Sequence, residues 1–129
     1  MILIDSSAWV EFLRGTGSRA CEEVDRLLES EIATTDPVLM EVLARARSPE
    51  HLTQLRALLG RASMRHCHPE DCETAASIYR HCRRSSETVR RLINCLIAGV
   101  AIREQLPVLQ QDWDFEIIAR HTALSLHGY

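Results

Sequence analysis

Short blocks of consecutive apolar residues alternate along the chain with longer stretches whose apolar positions recur every three or four residues. Ile2, Leu3 and Ile4 have the length and branching of a strand buried on both faces. That run stops at Asp5, and Ser6 and Ser7 follow as candidate N-caps for the apolar run Ala8–Leu13. Gly15-Thr16-Gly17-Ser18 separates it from a second helix over Cys21–Leu28, flanked by Ala20, with Val24, Leu27 and Leu28 at helical spacing. Glu31–Thr34 reads as a weak strand. Asp36-Pro37 then marks a helix start, with Asp as N-cap and Pro at the first helical position. Val38, Leu39, Val42, Leu43 and Ala46 form the buried stripe of this helix, and Glu41 lies at its border, about 130° from the stripe's centre.

Ser48-Pro49-Glu50 opens another helix, with Leu52, Leu55, Leu58 and Leu59 apolar, ending at Gly60. Ala62–Cys67 reads as a short strand. Pro69 through Arg84 reads as a helix carrying Cys72, Ala75, Ala76, Tyr79 and Cys82 along one side. After the link Arg83–Thr88, the strongest helical pattern in the chain runs over Val89–Arg103, with Val89, Leu92, Ile93, Leu96, Ile97, Val100 and Ala101 on one stripe and Asn94 at its edge. Pro107-Val108-Leu109 is a buried strand leading through Gln110-Gln111 to Asp112-Trp113-Asp114, where a helix begins again. Thr122–His127 alternates enough to be a last strand. Strands separated by helices predict an α/β fold with a central, mainly parallel sheet of four to five strands and helices on both faces, in one domain covering residues 1–129.

Composition narrows the function. At 129 residues, 46% hydrophobic and 26% charged, the chain can bury a core without staples. No apolar run reaches the roughly 18 residues of a membrane span, and Asp5 interrupts the N-terminus too early for a signal peptide, so a cytoplasmic protein with no membrane partner is expected. Five cysteines, an odd number without CxxC spacing, fit reduced thiols. The net charge of −3 argues against a general polyanion binder. All 15 cationic side chains are arginine. The absence of lysine removes Schiff-base chemistry and a Walker A loop, while arginine can hold phosphate bidentately.

The candidate chemistry is acidic. Asp5 and Asp112 both follow short buried strands, which places them at the carboxyl edge of a parallel sheet, where such folds bind ligands. Glu41 and Asn94 lie at stripe borders of helices that would flank that edge, and Asp114 is two residues past Asp112. Each acid alone could be a helix cap or a solvated helix edge. Together they repel and are costly to desolvate, so they call for a compensating cation. Hard oxygen ligands without nearby His or Cys favour Mg²⁺ or Mn²⁺, which suits phosphodiester hydrolysis.

ILIDSSAW at the start, the Glu of PVLMEVL, NCLIAGVAI and LPVLQQDWDFEIIA together resemble the PIN domain, specifically the VapC toxins of bacterial toxin–antitoxin pairs. The resemblance runs from Met1 to about His121. It implies a three-layer α/β/α fold with the first strand central, and a Mg²⁺- or Mn²⁺-dependent endoribonuclease that cuts tRNA or ribosomal RNA. It also implies a homodimer and a cognate VapB-like antitoxin whose C-terminal segment covers the acidic groove. By position, Asp5, Glu41 and Asp112 resemble the family's metal-binding acids, Asp114 the outer member of the last motif, and Ser7 a hydroxyl lining the site.

Asn94 departs from the pattern, because the family has an aspartate before CLIA. An amide oxygen can still coordinate a metal but carries no charge. Weak or absent cleavage is therefore expected from this chain, with recovery in Asn94→Asp. The substitution fits a natural weakening of the site or a change introduced so that a toxic protein could be produced. Arg80, Arg83, Arg84, Arg90 and Arg91 fall in one span with a single acid, Glu87, and either hold RNA phosphates, with Ser7, Arg84, Arg90 and Arg91 as the RNA-binding residues, or form solvated helix ends. His66-Cys67-His68 with Cys72 matches no standard zinc spacing. Trp9, Phe12 and Leu13 read as core or dimer contacts. Trp113 reads as packing, with base stacking as the alternative. Two other readings fall away: a phosphoryl-accepting receiver domain needs a lysine, and a dinucleotide-binding fold needs a glycine-rich turn after Ile4. A catalytically inactive PIN protein that binds antitoxin and RNA stays open beside the nuclease.

Overall fold

The first strand buries Leu3 and Ile4 completely, and the remaining elements assemble around it. The computed structural model describes residues 1–128; Tyr129, the last residue of the expected domain, lies outside them. Strand β1 (Ile2–Ile4) leads into helices α1 (Ser6–Arg14) and α2 (Arg19–Leu27). Strand β2 (Ile32–Thr34) is followed by α3 (Asp36–Leu43) and α4 (Pro49–Leu59). Strand β3 (Ser63–Met64) leads to α5 (Pro69–Arg84) and α6 (Leu92–Glu104), and β4 (Val108–Leu109) to α7 (Trp113–His121). The four strands are all parallel, in the order β3-β2-β1-β4. Among the described residues, four strands flanked by seven helices form the expected α/β/α arrangement, with β1 internal.

The chain runs from β1 outward through β2 to β3, then returns to place β4 on the other side of β1. The two directions part between β1 and β4, which opens a crevice beyond their carboxyl ends. Asp5 follows β1 there, and Asp112 lies three residues past β4. Backbone bonds hold the two ends together, with Asp5 N–H donating to Leu109 O at 2.9 Å.

Several elements begin or end where a side chain claims the backbone. Helix α1 starts at Ser6, two residues earlier than its apolar run, because Asp5 itself is the N-cap and accepts from Ser7 N–H. It ends at Gly15, whose φ of +61° is left-handed and suits glycine. Thr35, not Asp36, takes the N-cap position of α3, and the Asp36 carboxylate instead accepts from Cys67 N–H at 2.8 Å and contacts His66. Helix α6 begins at Leu92, three residues later than its apolar pattern. The reason is Asp114, whose carboxylate accepts the N–H groups of Arg90 and Arg91 and holds that segment extended. Leu92 is thereby exposed, while Val89 remains in the core. The predicted strand Ala62–Cys67 shrinks to Ser63–Met64, and Thr122–His127 contributes only a bridge from Leu126 to Val108.

The buried side of α5 carries Ala75, Ile78 and Cys82, with Cys72 and Ala76 exposed, so its stripe is rotated from the expected one. Trp9 is fully buried in the core and Leu13 is exposed. Helices α5 and α6 approach closely at Gly99, where a Cβ would lie 3.3 Å from Asp71 O. One buried ion pair ties this layer together. Asp71, 2% exposed, accepts from Arg103 Nε at 3.0 Å and Nη2 at 2.9 Å, and Arg103 also donates to His66 O. The guanidinium holds the Asp71 carboxyl below the usual carboxylate range. Asp71→Ala is expected to cost about 3 kcal/mol in a denaturant titration, the low end for breaking a buried pair because Arg103 can still reach water.

Candidate active site

Two groups of side chains meet at the carboxyl ends of β1 and β4. In the first, Asp5 is 1% exposed, and its Oδ2 accepts from Ser7 N–H at 3.0 Å and from Ser7 Oγ at 2.6 Å. Ser7 Oγ in turn accepts from Gln111 N–H at 2.9 Å, so one hydroxyl joins the start of α1 to the loop after β4. Glu41, on α3, accepts from Ser6 Oγ at 2.8 Å through Oε1 and pairs with Arg91 through Oε2. In the second group, Asn94 Nδ2 donates to Asp112 Oδ2 at 3.1 Å and to Asp114 Oδ2 at 2.9 Å. Asn94 is 1% exposed, not at a stripe edge open to solvent. Asp112 caps α7 by accepting from Asp114 N–H.

Arg91 connects the two groups. Its contact with Glu41, reinforced by the charges of Asp112 and Asp5, strengthens the guanidinium's hold on its proton. Arg90 approaches Asp112 Oδ1 at 3.5 Å and Asp114 Oδ1 at 3.8 Å while remaining largely in solvent. The charges of Glu41, Asp112 and Asp5 all act on Arg91, and Asn94 and Arg90 contact Asp112. Arg84 is exposed at the end of α5. Asp114, expected as a catalytic acid, is fully engaged in holding the start of α6 and Asn94. Ser6 was missed from the sequence, although its place beside Asp5 at the first turn of α1 was a visible signal.

The energetics show what the crevice lacks. Burial, with Glu41 nearby, raises the Asp5 carboxyl to about 6 despite the two bonds from Ser7. Asp5 Oδ1 is buried with no hydrogen-bond partner. A buried carboxylate oxygen left unpaired is costly and is the natural place for a cation. Asp5, Asp112 and Glu41 offer hard oxygen donors that fit Mg²⁺ or Mn²⁺. Yet among the described residues no three His, Cys, Asp or Glu side chains form a group able to hold a metal ion. The physical reason is local: position 94 supplies an amide instead of a carboxylate, and Glu41 is turned to Arg91.

Comparison with known proteins agrees with this architecture. Residues 2–121 match the PIN domain. The chain belongs to the PIN domain family. It is 47% identical to ribonuclease VapC11 of Mycobacterium tuberculosis and to VapC ribonuclease Mb1587 of Mycobacterium bovis, over all of this chain and 99% of each relative. Among solved structures, VapBC2 of Rickettsia felis bound to a promoter DNA fragment superposes with a TM-score of 0.76 at 16% identity, covering 100% of this chain and 99% of that one. VapBC-5 of Mycobacterium tuberculosis gives 0.62 at 25% identity, covering 98% and 94%.

Removing the unpaired charge should relieve the fold. Asp5→Asn keeps an N-cap and is expected to raise the stability of the metal-free protein by about 1–2 kcal/mol while weakening Mn²⁺ binding. Thermal unfolding in chelator checks the first outcome and calorimetric titration the second.

Proposed function

We propose that this chain is the endoribonuclease toxin of a VapBC-type toxin–antitoxin pair, with a divalent-metal site that Asn94 weakens. The observation that carries the reading is the unpartnered, buried Oδ1 of Asp5 at the sheet's switch point, with the charge of Glu41 acting on Asp5 and those of Asp5, Glu41 and Asp112 acting on Arg91. The full-length identity to VapC ribonucleases supports the reaction class, and the likeness to VapBC assemblies supports an antitoxin partner. A homodimer acting in the cytoplasm belongs to the same reading. Among the described residues no helix is long and apolar enough to cross a membrane.

Asp5, Asp112 and, once Arg91 releases it, Glu41 would hold Mg²⁺ or Mn²⁺, with position 94 as the fourth donor. A bound divalent ion supplies Lewis-acid polarisation of the phosphodiester and activation of the attacking water. The chain's own groups do the rest. Ser7 fixes the orientation of Asp5 while tying it to the loop that carries Asp112. Arg90, exposed over Asp112, and Arg91, once released from Glu41, can take RNA phosphate oxygens. A cavity of about 590 Å³ lined by Ser6, Ser7, Glu41, Arg45, Arg91 and Gln111 gives the backbone room to approach.

Asn94 favours a second reading, an inactive PIN protein that retains antitoxin and RNA binding. Its amide nitrogen donates to both Asp112 and Asp114, doing by hydrogen bonding part of what a cation would do by charge. Cleavage of a fluorescent RNA in Mn²⁺ separates the two. Asn94→Asp is expected to cut at least tenfold faster than the parent chain, since even outer-shell changes at metal sites cost about 10–100-fold. Failure of the variant to cleave in Mn²⁺ would remove the nuclease assignment.

A further inference from the structure

Trp113 is anomalous: a large apolar side chain 59% exposed at the first position of α7, directly after Asp112. It is nonetheless held in place. The Arg120 guanidinium lies over the indole, 5.0 Å from its centroid, and Arg120 is itself paired with Glu87. The indole borders a cavity of about 620 Å³ that also touches Arg19, Gln110, Gln111, Asp112 and Glu116. That volume is in the range of small-molecule sites. The lining mixes an aromatic face with amide, guanidinium and carboxylate groups, a combination suited to a nucleobase and poorly suited to an aliphatic ligand. Trp9, the other tryptophan, is fully buried in the core, so exposure is peculiar to Trp113.

We infer that Trp113 is a stacking platform for an unpaired RNA base of a nucleotide flanking the cleaved phosphate. The inference rests on the ribonuclease reading and adds a positioning residue to it. Asp112 and Gln111 line the same cavity as Trp113, and Gln111 also lines the cavity beside Glu41 and Arg91, so a base on Trp113 would sit next to the phosphate that Asp112 and Arg90 would face. A platform already held by Arg120 loses little freedom on binding, which favours affinity. Stacking accepts any base, so Trp113 sets where the strand sits and demands that the nucleotide be unpaired. Duplex RNA keeps its bases stacked on one another and cannot use the site.

The test titrates the parent chain, in chelator so that nothing is cut, with a ten-nucleotide single-stranded RNA and with the same sequence as a duplex. Tryptophan fluorescence reads stacking and the anisotropy of labelled RNA reads affinity. The single strand should quench Trp113 against the constant signal of Trp9, and the duplex should not. Trp113→Ala should bind the single strand roughly tenfold more weakly, and Trp113→Phe should recover most of the loss. Both variants sit at an exposed position, and circular dichroism checks that they fold. Binding without quenching, unchanged affinity in Trp113→Ala, or no RNA binding by the parent would each overturn the platform. So would a Trp113→Ala chain that binds RNA normally but loses its co-expressed antitoxin, which would make the surface a protein interface. Quenching by single-stranded RNA together with an Asn94→Asp chain that cannot cleave would support the platform and defeat the ribonuclease reading alone.

Discussion

Mutual repulsion of carboxylates at the end of a parallel sheet is the constraint on which the rest of this structure turns. The topology brings Asp5 and Asp112 to the same crevice, and α3 adds Glu41. Bringing like charges out of water is unfavourable unless positive charge or hydrogen-bond donors accompany them. Here the donors are Ser6 and Ser7 at the start of α1, Arg90 and Arg91 in the segment before α6, and Asn94 on α6. One oxygen, Asp5 Oδ1, is left over. Burial raises the affinity of Asp5 for its proton, and the charge of Glu41 adds to it.

The surrounding fold keeps this arrangement rigid. The clamp of Asp114 on the Arg90 and Arg91 amides sets where α6 begins and therefore where Asn94 points. The Asp71–Arg103 pair and the close approach at Gly99 lock α5 against α6 from the other end. Glu87, bound to Arg120 and His121, ties the loop before α6 to α7. The site is thus assembled from segments far apart in sequence but braced by ion pairs lying outside the crevice.

Much of this was legible in the sequence because it was written in local chemistry. Three consecutive apolar residues before Asp5, the Asp-Pro at 36–37 and the apolar periodicity around Asn94 gave the strand–helix alternation and the order of the acids. The start of α6 was not legible, since a carboxylate more than twenty residues away overrides the pattern over Val89–Arg91. For the same reason the sequence did not show that Asp114 braces the start of α6, or that Arg91 pairs with Glu41. The final apolar alternation after His121 failed as a strand because its pairing with β4 is a single bridge, Leu126 to Val108, with Ser125 and His127 bonded to Val108 alone. Local patterns carry the elements, and long-range polar contacts decide their ends.

The central claim is that Asn94 and the arginines stand in for charge that a divalent ion would otherwise supply. Thermal unfolding of the parent and Asn94→Asp chains, each in chelator and in millimolar Mn²⁺, tests it most directly. The account predicts that Asn94→Asp melts several degrees below the parent in chelator and gains more from Mn²⁺ than the parent does. Equal melting temperatures in chelator, with no difference in the response to Mn²⁺, would contradict it.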